Sequence, residues 1–353
     1  MDITQFPVSV QEQLKPVGTI PQVAKTNAVF DANYPILNEH GLMMGESTCS
    51  AKLQGLSIPL GGQCMFSVSS LMSLASERCK TAREAIVLMG TMAQKHGFYS
   101  EDGPEEGQGS AGEAVTLADP TTGEAWGFHV SAALHHKGAI WAAQRVPDDH
   151  VAVVANNYII RHIDFDDHEH KHFYWSDNLL DVAREAGFYS GPKEGFDFYK
   201  HMAPDNRVVE YFPDMPPAPM YMLLRTWIVQ RTANPKYIDA HHTIPLSPDP
   251  TKFNFSVHVE PDEKLSVEDI MNMKRQVYNN TAYDLTQGIM AGPHGTPNRE
   301  EGIMTDPSFK MGPLGYAGQY ARAISIPRTS YGIVSVAHPP AADGVPRAVT
   351  WFA

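Results

Sequence analysis

Cysteine is scarce: Cys49, Cys64 and Cys79 are the only three in 353 residues. So small and odd a number cannot build the disulfide framework of a compact secreted scaffold. Charge is also scarce, at 19% of residues against roughly 25% in an average soluble protein. Basic residues are in deficit, 27 against 40 acidic ones, which leaves a formal net charge of −13. Such a surface repels phosphate backbones and anionic lipid headgroups, so no nucleic acid and no membrane partner is expected. No apolar run approaches the ~20 residues of a membrane span. The opening Met1-Asp2-Ile3-Thr4-Gln5-Phe6-Pro7 lacks the basic and then apolar regions of a secretory signal. A reducing, cytoplasmic setting is the default, and any targeting segment would have to lie upstream. What is abundant is apolar side chain, 42%, enough for one sizeable core. Histidine is abundant too: full protonation of all 16 would carry the formal charge from −13 to slightly positive.

Residues 1–35 are Pro- and Gln-rich and read as an irregular lead-in. Ile36 to Ser47 reads as a strand, a tight turn at Gly41 and a second strand. Helices are expected over Ser70–Cys79 and Thr81–His96. In the second, Thr81 and Glu84 have capping-box spacing and Gly97 can take the left-handed stop. Met72, Met89 and Met92 read as core filler. The acidic, Gly-rich segment Phe98–Gly112 is too long for a simple turn. Four strand-like runs follow, Glu113–Ala118, Glu124–Ser131, Gly138–Val146 and Val151–Ile160, and turn signals between them point to an antiparallel meander. Further helices are expected over Ser176–Ala186 and Ser266–Tyr278, and tail strands over Gly332–Ala337 and Arg347–Ala353. Strands in blocks and helices in blocks mean α+β, not a parallel βαβ array.

The densest titratable cluster runs from Asp164 to His172. On a strand, His168, His170 and His172 would share one face and could ligate a transition metal. No HExxH pair supports metal catalysis, a solvated loop is the simpler reading, and neither metal nor cofactor is expected. Gly288 to Gly295 lacks the Lys-Ser/Thr of a phosphate loop and reads as a turn. No G-x-S-x-G elbow is present. Cys49 and Cys64 follow strand-end and turn signals, yet a free cysteine is more often a small buried hydrophobe.

Several motifs occur together and in one order. They are Asn38-Glu39-His40-Gly41 with Glu46-Ser47, and Ile140-Trp141-Ala142-Ala143-Gln144-Arg145-Val146-Pro147-Asp148-Asp149 followed by Ala155-Asn156-Asn157. Downstream come Thr281 to Gly288, Ala291 to Gly295, and Arg322-Ala323-Ile324-Ser325-Ile326-Pro327-Arg328-Thr329. In this combination the sequence resembles the secernin/dipeptidase family of N-terminal-nucleophile cysteine peptidases over nearly all of Asn27–Ala353. The resemblance implies a four-layer αββα sandwich of two antiparallel sheets in residues 36–353, and hydrolysis of short peptides, chiefly dipeptides. It implies an N-terminal Cys as nucleophile, with its own α-amino group as base. Asn156 matches the strand-end asparagine that donates to the developing oxyanion, and Arg328 and Arg322 match arginines that line such sites. Glu46 suits a substrate's free amino group.

The family's mature chain opens on its catalytic Cys, whereas this sequence opens on Met1. Cleavage before Cys49 would discard Asn38–Ser47, so none of the three cysteines is expected to be the nucleophile. The expectation is a domain incomplete at both ends and inactive by itself. A catalytically dead, secernin-like scaffold or binding protein is the alternative. Homo-oligomer formation is left open.

Overall fold

The computed structural model describes residues 16–100, 111–203, 220–236, 258–259, 261–288, 291, 295–297, 322–326, 329, 331–338 and 348–352. The chain enters its main sheet through two short strands, β1 (Val29–Phe30) and β2 (Leu37–Asn38), before the long β3 (Met43–Ser50). Asn38 organises the turn between β2 and β3. Its Oδ1 accepts from the amides of His40 (3.0 Å) and Leu42 (3.1 Å), and its Nδ2 donates to the carbonyls of Ser76 (2.9 Å) and Cys79 (2.8 Å). One buried side chain thus closes a hairpin and satisfies carbonyls at the end of the next helix.

That helix is α1 (Val68–Arg78), capped by Ser67, and α2 (Ala82–His96) follows it. Thr81 Oγ1 accepts from the Glu84 amide (3.3 Å) as expected, but the Glu84 carboxylate reaches one residue further back, to the Lys80 amide (2.7 Å). Gly97, at φ 82°, ends α2. Both helices lie on one face of the sheet, over a core that includes Leu42, Met44, Ile86, Trp126 and Phe128. Met72 and Met89 are fully buried there and Met92 packs against them, so the methionines are core filler.

The meander continues as β4 (Ala111–Ala118), β5 (Ala125–Ala132) and β6 (Ala139–Val146), each antiparallel to its neighbour. The fourth expected strand is not part of it. Only β7 (Val151–Ala152) is extended enough to pair, and it pairs with β9 (His258–Val259) in a separate ribbon. The place beside β6 goes to β8 (Phe173–Trp175), giving a seven-stranded sheet of order β1-β2-β3-β4-β5-β6-β8. The reason is local. Asn156 adopts a left-handed φ of 58°, and the amides of Ile159 and Ile160 bond to His129 Nε2 (3.0 and 3.4 Å) instead of to a strand. Residues 155–203, with α3 (Leu179–Glu185) and α4 (Phe198–Met202), then cover the second face around Ile140, Tyr158 and Phe198.

A third core forms between α5 (Met220–Ala233) and α6 (Val267–Lys274), around Trp227, Tyr278 and Leu285. The sequence reading did not foresee α5. It did foresee α6, whose Ser266–Asp269 capping box is complete, but the helix stops at Lys274 and Tyr278 takes φ 65°. The tail strands β10 (Ile333–Ala337) and β11 (Ala348–Phe352) pair with each other, Val334 opposite Trp351. The described residues therefore form an α+β protein with antiparallel sheets: one of seven strands and two ribbons of two. Among them no helix is long and apolar enough to cross a membrane. Residues 101–110 of the acidic loop lie outside the described residues.

Candidate active-site cleft

A cleft of about 460 Å³ opens on the second face of the sheet, a volume in the range of small-molecule sites. Glu46 and Ser47 of β3 and Thr116 of β4 line one side; Lys274, at the end of α6, and Ile333 and Ser335 of β10 line another. Strand β3 continues past its buried Met43–Met44 start into half-buried residues; Ser47, opposite Ala114, is on the cleft face, whereas Glu46, opposite Val115, is on the face toward α1 and α2. Thr48 Oγ1 donates to Glu46 Oε1 (2.9 Å), which steadies the carboxylate along its own strand.

Asn156 flanks the cleft, between the lining residues Val154 and Ile159. Asn is one of the few side chains that tolerates a left-handed backbone, and three bonds hold this one there. Its amide donates to Ser47 Oγ (3.0 Å), its Nδ2 donates to the Thr48 carbonyl (2.7 Å), and its Oδ1 accepts from an Arg225 guanidinium nitrogen (2.7 Å). A carboxamide nitrogen carries two hydrogens, so one Nδ2–H remains beyond the bond to Thr48.

Arg225 comes from α5 and is only 9% exposed. Besides Asn156 it donates to the Ala155 carbonyl (3.4 Å). Sequence reasoning missed this residue. The available signal was a single cation inside the apolar run Met222-Leu223-Leu224-Arg225-Thr226-Trp227-Ile228. Arg322 is equally buried, and its carbonyl accepts from Tyr278 Oη (2.5 Å) beside the third core; it is not one of the lining residues. Arg328 lies outside the described residues, as do parts of the Gly288–Gly295 turn.

The three cysteines are all buried and in no disulfide. Burial pushes the Cys49 thiol well above its ordinary range, the Glu113 and Glu46 carboxylates add to the shift, and Arg225 opposes it. Cys49 Sγ donates instead to the Ser47 carbonyl (3.3 Å). Burial raises Cys64 too, and takes Cys79 to about 12 with the help of Glu84. None is set up as a thiolate, which is the nucleophilic form.

The histidine cluster is a tight turn organised by Asp167, whose carboxylate accepts from the amides of Lys171 (2.9 Å), His172 (2.7 Å) and Phe173 (2.9 Å). His168 points to solvent, while His170 stacks on Tyr174 with ring centroids 4.4 Å apart. Among the described residues no three His, Cys, Asp or Glu side chains converge on a point that could hold a metal ion.

The chain is 27% identical over 216 residues to a protein of Latilactobacillus sakei described as a probable dipeptidase, covering 61% of this chain and 37% of the relative. A probable dipeptidase of Salmonella dublin is 26% identical over 205 residues, 58% of this chain and 39% of the relative. A dipeptidase of Bifidobacterium longum is 25% identical over 215 residues, 58% of this chain and 34% of the relative. The matched region thus spans well under half the length of these relatives. The model of peptidase family C69 matches residues 13–353, and on that match the chain belongs to peptidase family C69.

Proposed function

We propose that this chain supplies the scaffold and substrate cleft for hydrolysis of short peptides, chiefly dipeptides, by an N-terminal-cysteine mechanism. The observation that carries the reading is the family match over residues 13–353. The names of the relatives support the choice of dipeptides. In this reading the substrate lies over β3–β5 with its free amino group at the β3 margin of the cleft, toward Glu46. Its scissile carbonyl faces Asn156, whose remaining Nδ2–H donates to the developing oxyanion. Arg322 and Arg328 support the site from its margin. The seven-stranded sheet is one inner layer of an αββα sandwich, and α1 with α2 its outer layer.

The chemistry requires a thiolate and a free α-amine on one residue. A cysteine inside a strand or beside a helix offers a peptide nitrogen instead, so Cys49, Cys64 and Cys79 do not fill the role. A second reading, a secernin-like scaffold that binds peptides without cleaving them, is equally compatible with the burial of all three thiols.

The test compares residues 1–353 with the same chain extended upstream to a family-type N-terminal Cys, both assayed for binding and hydrolysis of a free dipeptide panel. Hydrolysis by the extended form alone is expected. In that form Asn156→Gly, which keeps the left-handed backbone, should lower kcat by about 10²–10³-fold, the usual loss of one oxyanion donor. Hydrolysis by the shorter chain that disappears in Cys49→Ala would overturn the mechanism. Binding without hydrolysis in both forms would select the scaffold, and no binding in either would remove the function.

A further inference from the structure

Among the described residues three hydroxyl side chains line the cleft, those of Ser47, Thr116 and Ser335. Thr116 Oγ1 donates to the Gly45 carbonyl (3.2 Å), and Ser335 Oγ is bonded to Thr350 Oγ1 (2.9 Å). Ser47 differs. Its Oγ accepts from the Asn156 amide (3.0 Å) and makes no other hydrogen bond among the described residues. A backbone N–H can only donate, so this bond occupies a lone pair and leaves the hydroxyl hydrogen uncommitted. An oxygen that already accepts from an amide is also the stronger donor, because neighbouring hydrogen bonds polarise one another.

The strand register directs Ser47 at the cleft. It lies opposite Ala114, and that row continues across the sheet through His129 and Ala142, on the face away from α1 and α2. On the same face Gly45 and Gly127 keep the floor low. A Cβ at Gly127 would meet only Ile159 Cδ1, at 3.9 Å, and one at Gly45 only Thr116 Oγ1, at 3.0 Å. A substrate carbonyl can therefore come down to the strands next to Ser47.

The orientation of the Asn156 carboxamide follows from its partners. One of its end atoms lies 2.7 Å from the Thr48 carbonyl and the other 2.7 Å from an Arg225 nitrogen. A carbonyl cannot donate and a guanidinium cannot accept, so the nitrogen faces Thr48 and the oxygen faces Arg225. Ser47, Thr48 and Asn156 are thus closed into one hydrogen-bonded ring. That ring carries two uncommitted hydrogens, one on Ser47 Oγ and one on Asn156 Nδ2.

We infer that Ser47 is a second donor to the scissile carbonyl oxygen, acting beside Asn156. The inference rests on the dipeptide reading above and adds a residue to its oxyanion site. As the thiolate sulfur bonds to the carbonyl carbon, the C=O π pair moves onto oxygen. Ser47 and Asn156 donate to that charge, and Ser47 keeps its proton throughout.

The experiment is calorimetric titration of the intact chain, which needs no turnover. The probes are five free dipeptides and, for the tightest binder, its phosphinic analogue, in which a charged tetrahedral phosphinate stands where the oxyanion forms. Wild type should bind the phosphinate about tenfold or more tightly than the dipeptide, the scale of hydrogen bonds to a charged group. Ser47→Ala should lower phosphinate affinity about tenfold and dipeptide affinity by about twofold at most. Ser47→Thr keeps the hydroxyl and suits a strand, so it should restore most of the phosphinate preference. Because Ser47 also holds the Asn156 amide, Ser47→Ala is repeated in an Asn156→Gly background, which keeps that amide but has no carboxamide to position. A further loss of about tenfold is expected there. No further loss would overturn the donor and leave Ser47 as a residue that only positions Asn156. Equal affinity of wild type for the two probes, or a wild-type ratio in Ser47→Ala, would overturn it while leaving the dipeptide reading in place. No binding of any free dipeptide to wild type would overturn both.

Discussion

His129 has no solvent exposure. Its ring lies 4.9 Å from that of Tyr158 and 6.0 Å from that of Phe198, centroid to centroid. Because Nε2 accepts from the Ile159 and Ile160 amides, the proton of the neutral ring sits on Nδ1. Burial pulls its pKa down to about 3, whereas in the unfolded chain it titrates near 6.5. Between those values the unfolded state binds the extra proton and the folded state does not. Stability from this group is therefore fully present above about pH 6.5 and declines as pH falls toward 3. Urea unfolding at a series of pH values should show this loss, and His129→Gln, which keeps an acceptor but cannot titrate, should flatten it by up to one proton. An unchanged slope in the variant would assign the acid sensitivity elsewhere. At this scale the sequence was only partly legible. Alternation in Trp126, Phe128 and Val130 marks one face of a strand, which the structure turns toward α1 and α2, and period two puts His129 on the opposite face without saying that residues 155–203 bury it. Asn156 was readable as a site residue only through the family resemblance. Its conformation depends on Ser47, Thr48 and Arg225, none of them adjacent in sequence.

Among elements, α2 meets β6 where Gly90 faces the Trp141 indole. A Cβ at position 90 would lie 2.3–2.6 Å from three of the ring's carbons. Alanine there would gain about 1 kcal/mol of helix propensity over glycine, against about 1–3 kcal/mol for overpacking a filled core. The ring cannot easily recede, since it is buried in the same core as Phe128, 5.9 Å away between centroids. Gly90→Ala is therefore expected to lower the thermal midpoint by a few degrees, a shift of about 1 kcal/mol in a chain of this size. A rise in midpoint would mean that Trp141 yields to the methyl group. Helices α1, α2 and α6 were legible because caps and apolar stripes are local signals. Helix α5 was not, because Met222, Leu224, Trp227 and Ile228 are buried on several sides and leave no polar face to mark a 3.6-residue period. The run Val151–Ile160 failed for the opposite reason: a short continuous apolar stretch fits a strand equally well whether or not it pairs.

For the whole molecule, the question is how the third core, α5 with α6, is held to the main sheet. Arg225 makes that connection with a buried cation, bonded to Asn156 Oδ1 at 2.7 Å and to the Ala155 carbonyl at 3.4 Å. Hydrogen bonds to a charged group contribute about 1.5–3 kcal/mol, and the acceptors left behind by its removal would stay desolvated. Arg225→Met fills similar space without the charge, so its effect should report the lost bonds more than a cavity. Asn156 would keep its bonds to Ser47 and Thr48, which belong to β3, but lose its link to α5. Amide hydrogen exchange is therefore expected to quicken in α5 and α6 while β4, β5 and β6 keep their protection, since their ladders do not involve Arg225. Dipeptide binding should weaken in parallel, because α6 contributes Lys274 to the cleft lining and β3 contributes Ser47, and loosening one against the other separates two walls of the cleft. Uniformly faster exchange across the sheet would mean that Arg225 supports global stability. Unchanged exchange in α5 together with wild-type binding would show that apolar packing alone docks the third core, and the coupling between Asn156 and α5 would then carry no weight in the site.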